Sequence, residues 1–185
     1  NEAAQARRVL TERIGNIVNS RQRGTQITLA LDNSLSDDEA YTLAVDAKGV
    51  TAKGKTARGV FYALMTLDQL LRGNGATECA DAIPALFISD KPRTHVRELM
   101  VDPARTFIPF EDLKAFVPEM ARYKLNAMHL HLVDAQAWRI EIKKYPQLTE
   151  QASSRWGQDD TQMPYKGYYT QEQMRELVKL GAEYH

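Results

Sequence analysis

The stretch HLHLVDAQAWR, residues 129–139, places two histidines, an aspartate, a glutamine, a tryptophan and an arginine within eleven positions. His129 and His131 would share one face of a strand, because side chains alternate. Such an H-x-H pair can chelate a divalent metal, with Asp134 adding an oxygen, and a metal-dependent hydrolase is one reading. Asp134 also permits another. A carboxylate at a strand end is costly to bury unless paired, so it can hold a histidine or a substrate amide in place. The earlier turn DPART, residues 102–106, carries Asp102 and Arg105. The guanidinium of Arg105 offers a rigid fork of donors suited to two adjacent hydroxyls or a carboxylate, and the alternative is a local ion pair with Asp102 that merely fixes the turn. Trp138 and Arg139 could cover a site, although RIEI at 139–142 reads equally as a structural strand.

The elements that must position these residues follow from periodicity. VRELMV reads as a mostly apolar strand leading into DPART. Phe110 to Tyr123 has helical spacing, with Leu113, Phe116, Val117 and Met120 inward, although Pro118 is expected to kink it. NAMHLHLV is the next strand. From Asp134 to Tyr169, Pro146, Gly157, Pro164 and Gly167 argue against much regular structure beyond one short element. TQEQMRELVKLGAEYH then closes as a helix, with Thr170 and Gln173 spaced as a capping box and Met174, Leu177, Val178 and Gly181 on its buried stripe. Strand–helix–strand–helix with apolar strands predicts parallel construction, and such folds build sites in the loops after strand C-termini.

The first half has a different rhythm. Leu10, Ile14, Ile17 and Val18 recur at helical spacing. Ile27, Leu29 and Leu31 alternate, as do Tyr41, Leu43 and Val45, and VTAKG adds a third strand. Val60, Leu64, Leu67 and Leu71 form a helical stripe widened by Phe61 and Leu70, with Gly73 as its stop. A linker-like passage with a short strand at Leu86–Ile88 follows. The reading is a small α+β domain over 1–92 and a second domain over 93–185.

Composition narrows the function. The 185 residues are 43% hydrophobic and 26% charged, enough for a real core. Lys+Arg and Asp+Glu both number 24, so no global field favours nucleic acid or an anionic membrane. No apolar run approaches a membrane span. Cys79 is the single cysteine, which rules out an intrachain disulfide and fits either the cytoplasm or an exported bacterial protein. The N-terminus lacks an initiating Met and an apolar signal core, as a processed or cloned start would.

The passages VRELMVDPARTFIP, KLNAMHLHLVDAQAWRIEIKKYPQLT and YYTQEQMRELVKLGAEYH resemble the opening of the catalytic barrel of family 20 glycoside hydrolases, the β-N-acetylhexosaminidases. The preceding EAYTLAVDAKGVTAKGKTARGVFYALMTLDQLL resembles that family's small N-terminal domain. The motifs D-x-A-R and H-x-H-x-x-D-x-Q-x-W-R carry the likeness, which covers nearly the whole chain.

The resemblance implies an α/β chain: a small α+β domain, then the first βα units of a (β/α)8 TIM barrel, incomplete here. It implies retaining removal of terminal N-acetylhexosamine from glycans or chitooligosaccharides, through attack by the substrate's own acetamido oxygen and an oxazolinium intermediate. Arg105 matches the arginine that holds ring hydroxyls. Asp134 matches the carboxylate supporting a histidine coupled to the acid glutamate. Asp102, His131, Gln136 and Trp138 match supporting positions, and neither metal nor cofactor is implied. Glu98 stands where a glycine is usual and Ala135 where a second acid is common. No residue corresponds to the family's catalytic Asp–Glu pair, since Asp159 and Asp160 have the wrong context. Two βα units cannot close a barrel. The chain alone is therefore expected to be a catalytically inactive piece of a larger enzyme, with a non-catalytic glycan-binding or assembly fragment as the alternative. Family usage points to the periplasm, cell surface or secretion, or the lysosome in a eukaryote.

Overall fold

The computed structural model describes residues 26–72, 83–155 and 165–184. Two compact units divide between His95 and Val96. The N-terminal helix expected around Leu10 to Val18, the Gly73 stop and Cys79 lie outside the described residues.

The first unit contains β1 (Ile27–Leu31), β2 (Tyr41–Asp46), β3 (Gly49–Gly54), α1 (Ala57–Arg72) and β4 (Leu86–Asp90). Its sheet has the order β1-β3-β2-β4, with β1 parallel to β3 and the other pairs antiparallel. A tight turn joins β2 to β3. Asp46 accepts the Lys48 N–H at 2.7 Å, and Gly49 takes a φ of 135°, which side chains rarely adopt. Alternation then lines up Leu29, Ala52, Leu43 and Ile88 across one face. Leu43 and Ala52 are fully buried.

The structure departs from the sequence expectation at one place here. Burial in α1 is not confined to a stripe but runs unbroken from Gly59 to Asp68, whereas Leu70 and Leu71 are only half-buried. Leu31, on the same strand face as Leu29, is 65% exposed, and Ile27 at the other end of β1 is 37% exposed. Leu31 ends an edge strand and its register partner is Gly54, which has no side chain to cover it.

The second unit begins with β5 (Glu98–Val101), α2 (Phe110–Arg122) and β6 (Ala127–Leu130). The two strands are parallel, with Glu98 opposite Ala127 and Val101 opposite Leu130. Pro118 sits inside α2, yet the helix continues to Arg122. Beyond α2, Lys124 turns left-handed at φ 59° while its N–H donates to Ala121 O at 2.9 Å and that of Leu125 to Met120 O at 2.9 Å. Arg97 fastens this turn to the start of β5: its Nε donates to Lys124 O at 2.7 Å and its N–H to Asn126 Oδ1 at 2.9 Å.

The connection after β6 is richer in structure than its composition suggested. A two-residue turn joins β7 (Val133–Asp134) to β8 (Ala137–Trp138), and α3 (Gln147–Ala152) and a β9 (Ser154–Arg155)–β10 (Tyr165–Lys166) pair follow. Residues 156–164, with Asp159 and Asp160, lie outside the described residues. Finally α4 (Gln171–Glu183) joins the core of Val101, Leu113, Val117, Tyr169 and Leu177.

The expected capping box opens α4. Thr170 Oγ1 accepts the Gln173 N–H at 3.1 Å, and Gln173 Oε1 accepts the Thr170 N–H at 2.8 Å. Thr170→Ala removes half of this exchange and should cost about 1 kcal/mol. A lowered thermal midpoint with unaltered substrate kinetics in the full-length protein is the expected result.

Candidate active site at the strand ends

The ladder between β5 and β6 does not stop where the strands do. The His131 N–H donates to Val101 O at 2.9 Å, and the Ala104 N–H donates to His131 O at 3.1 Å. These bonds fold the Asp102–Arg105 turn back over the end of β6. The turn itself closes when Asp102 Oδ1 accepts the Arg105 N–H at 3.1 Å.

Four side chains then converge. Arg105 Nη1 pairs with Asp102 Oδ2, and Nη2 reaches Asp134 Oδ2 at 2.9 Å. The same Asp134 oxygen lies 2.8 Å from His131 Nε2, while Oδ1 accepts the Ala135 N–H at 2.6 Å. Ala135 thus contributes a backbone donor. One guanidinium bridges two carboxylates presented by different loops, and its side chain remains 51% exposed.

The electrostatics follow from these bonds. The Ala135 N–H and then His131 hold the Asp134 carboxyl below its ordinary value of 3.8. Burial opposes ionisation of Asp102, but hydrogen bonds from Arg105 outweigh it and lower this carboxyl too. Asp102 and then Asp134 push Arg105 further up, so the cation persists at any working pH. A carboxylate whose pKa is depressed by folding stabilises the protein above its unfolded value, and that contribution disappears as pH falls through the folded value. The difference in thermal midpoint between wild type and Asp134→Asn should therefore be constant above about pH 5 and shrink below 3.8. A difference growing towards acid would contradict this linkage.

The other candidate residues have separate places. His129 is exposed on β6 and is not part of the Arg105 network. Among the described residues no three histidine, cysteine or acidic side chains gather as a metal-sized group. Trp138 is half-buried and its indole N–H donates to Ile140 O at 2.6 Å, bracing the chain after β8. Gln136 lies in the β7–β8 turn, and its buried Oε1 has no hydrogen-bond partner among the described residues.

Arg139 corrects the sequence expectation. Instead of covering a site, it is wholly buried, and only the single bridge Ile140–Tyr169 forms where RIEI had suggested a strand. Its Nε donates to Pro103 O at 2.9 Å, and its Nη1 donates to Gly167 O at 2.9 Å and to Ser153 O. Phe107, Ser153 and Gly167, which serve this arrangement, carried no recognisable signal in the sequence. Only the conspicuous charge of Arg139 at the end of an apolar strand hinted at it.

A parallel β–α–β arrangement with polar side chains gathered beyond its strand C-termini belongs to the α/β class, whose sites are built at that end. Residues 95–185 match the model of Glycosyl hydrolase family 20, catalytic domain, and residues 1–91 match that of Glycosyl hydrolase family 20, domain 2. The chain belongs to glycosyl hydrolase family 20. It is 41% identical over 165 residues to a beta-hexosaminidase of Porphyromonas gingivalis, covering 86% of this chain and 21% of the relative. To a beta-hexosaminidase of Akkermansia muciniphila it is 43% identical over 170 residues, covering 88% and 34%. The chain thus spans about a fifth to a third of these relatives. Among solved structures, Streptomyces plicatus N-acetyl-beta-hexosaminidase in complex with Thio-NAglucal superposes with a TM-score of 0.85 at 32% identity, covering all of this chain and 38% of that one. The exo beta-N-acetylglucosaminidase of Vibrio harveyi in complex with N-acetylglucosamine has a TM-score of 0.82 at 30% identity, covering 100% and 30%. No helix among the described residues is long and apolar enough to cross a membrane.

Proposed function

We propose that the protein containing this chain removes terminal N-acetyl-β-D-hexosamine residues from glycans or chitooligosaccharides with retention, and that residues 102–139 form part of its sugar-binding pocket. The carrying observation is the half-exposed Arg105 guanidinium held between Asp102 and Asp134. Two carboxylates on two loops fix its plane, so the half-exposed side chain meets a sugar without a further loss of side-chain freedom. Neighbouring ring hydroxyls present oxygens spaced to accept from that fork. The N-acetylglucosamine bound by the Vibrio harveyi relative supports this substrate class.

In this reading, the second unit opens a (β/α)8 barrel, and the acid–base pair comes from residues outside 1–185. The acetamido oxygen of the substrate attacks the anomeric carbon as the glycosidic C–O bond breaks, and the acid delivers a proton to the departing oxygen. Water then opens the oxazolinium at the same carbon, restoring the acetamide and the β configuration. Arg105 contributes orientation. A charge-assisted hydrogen bond of this kind is worth about 1.5–3 kcal/mol, roughly ten- to a hundredfold in affinity. Asp134 supports a histidine coupled to the acid and simultaneously keeps Arg105 in place.

The test is turnover of 4-nitrophenyl N-acetyl-β-D-glucosaminide by the full-length protein, with the first-formed anomer read by NMR. Hydrolysis with initial release of the β anomer is expected, and residues 1–185 alone should release no nitrophenol. Initial release of the α anomer would refute the substrate-assisted route. Sugar binding without hydrolysis would mark a non-catalytic glycan-binding protein.

A further inference from the structure

The buried guanidinium of Arg139 joins the two loops that carry Arg105 and Asp134, and we infer that Arg139 is the positioning residue that sets the separation of this pair, an inference that rests on the reading of the pair as a sugar-holding unit. Pro103, which accepts from Arg139 Nε at 2.9 Å, lies inside the turn between Asp102 and Arg105. On the other side, the β7–β8 hairpin bearing Asp134 runs directly into Arg139, whose N–H donates to Leu132 O at 2.9 Å. A single residue therefore holds the backbone of both loops. Its remaining bonds reach the far part of the long connection: Nη1 donates to Gly167 O and Ser153 O, and its carbonyl accepts the Tyr169 N–H at 2.8 Å.

The surroundings hold the guanidinium against rotation. Its Cζ lies 5.5 Å from the centre of the Phe107 ring, two residues beyond Arg105, and that ring leans on Tyr169 at 5.3 Å. A Cβ at 167 would lie 2.3 Å from Phe107 Cε1, so a larger residue there would have to displace the ring. Only a planar fork supplies donors in several fixed directions; a lysine ammonium at the same place is a point charge on a flexible stem. A fully buried cation is also a poor way to gain stability, since an apolar side chain of similar volume often does as well or better. What the cation adds is a defined distance between loops.

The test uses the full-length protein. In Arg139→Ala, a crystal structure should show Arg105 and Asp134 separated beyond about 4 Å, the limit of an ion pair. KM for the nitrophenyl substrate should rise about tenfold, with kcat/KM lower by about a hundredfold. Methylguanidinium, which fits the vacated space, should restore both the contact and KM, whereas methylammonium should not. A smaller folded fraction lowers apparent kcat and leaves KM unmoved, so KM separates positioning from support of the fold. Arg139→Lys is the milder variant and should shift KM in the same direction by less. An Arg105–Asp134 contact retained in either folded variant, with KM unchanged, overturns the inference. Absence of hydrolysis by the wild type would defeat the functional reading alone, because the crystallographic separation still decides whether Arg139 sets the distance.

Discussion

Arg105→Ala in the full-length protein should lower kcat/KM for an N-acetyl-β-glucosaminide by about two orders of magnitude, with KM raised at least about tenfold. Two losses combine. The substrate loses a charge-assisted donor pair, and Asp102 and Asp134 lose the cation between them, leaving two carboxylates to repel across the turn. Arg105→Lys should recover little, because an ammonium cannot bridge both acids and still offer a planar edge. Steady-state kinetics check this directly. Wild-type constants in the alanine variant would show that the guanidinium serves the turn alone, the bland alternative that the D-x-A-R spacing also permits.

Asp134→Asn should have the larger effect, roughly 10²–10³ in kcat/KM and expressed mainly in kcat. The amide keeps the shape of the side chain and leaves an oxygen for the Ala135 N–H, but it carries no charge. Arg105 would then be drawn towards Asp102, and His131 would lose its anionic partner at 2.8 Å. In the proposed mechanism, support of the histidine coupled to the acid would also weaken. Because Asp134 and Arg105 touch, their effects should not add. The double variant should lie close to Asp134→Asn, and a fully additive loss in the cycle would show that the two act independently.

These effects arise where local rules and long-range closure meet, and that boundary also marks what could be seen in the sequence. The capping box at Thr170 and the inward positions Leu113, Val117 and Leu177 were legible because helix signals act over a few residues. The pairing of Asp102 with Arg105 is likewise local. Their meeting with Asp134, twenty-nine residues beyond Arg105, was readable through the expectation of parallel strands whose ends open on one side, together with the family resemblance that gave both residues a part in one sugar site. Arg139 was misread because its partners are backbone carbonyls at 103, 153 and 167, and any residue type supplies a carbonyl. Leu31 shows the same limit: alternation gives a face but not whether the neighbouring strand offers glycine opposite it. The extra turns of structure between Asp134 and Tyr169 escaped notice because two-residue strands have no periodicity to detect.

In the proposed function Arg105, braced by Asp102 and Asp134, holds a sugar ring. A crystal structure of the full-length protein with N-acetylglucosamine tests it most directly. Two ring hydroxyl oxygens are expected within about 2.7–3.2 Å of the Arg105 guanidinium, with the contacts to both carboxylates retained. A sugar bound with its hydroxyls turned away from Arg105, and the guanidinium still closed on Asp102 and Asp134 alone, would contradict it.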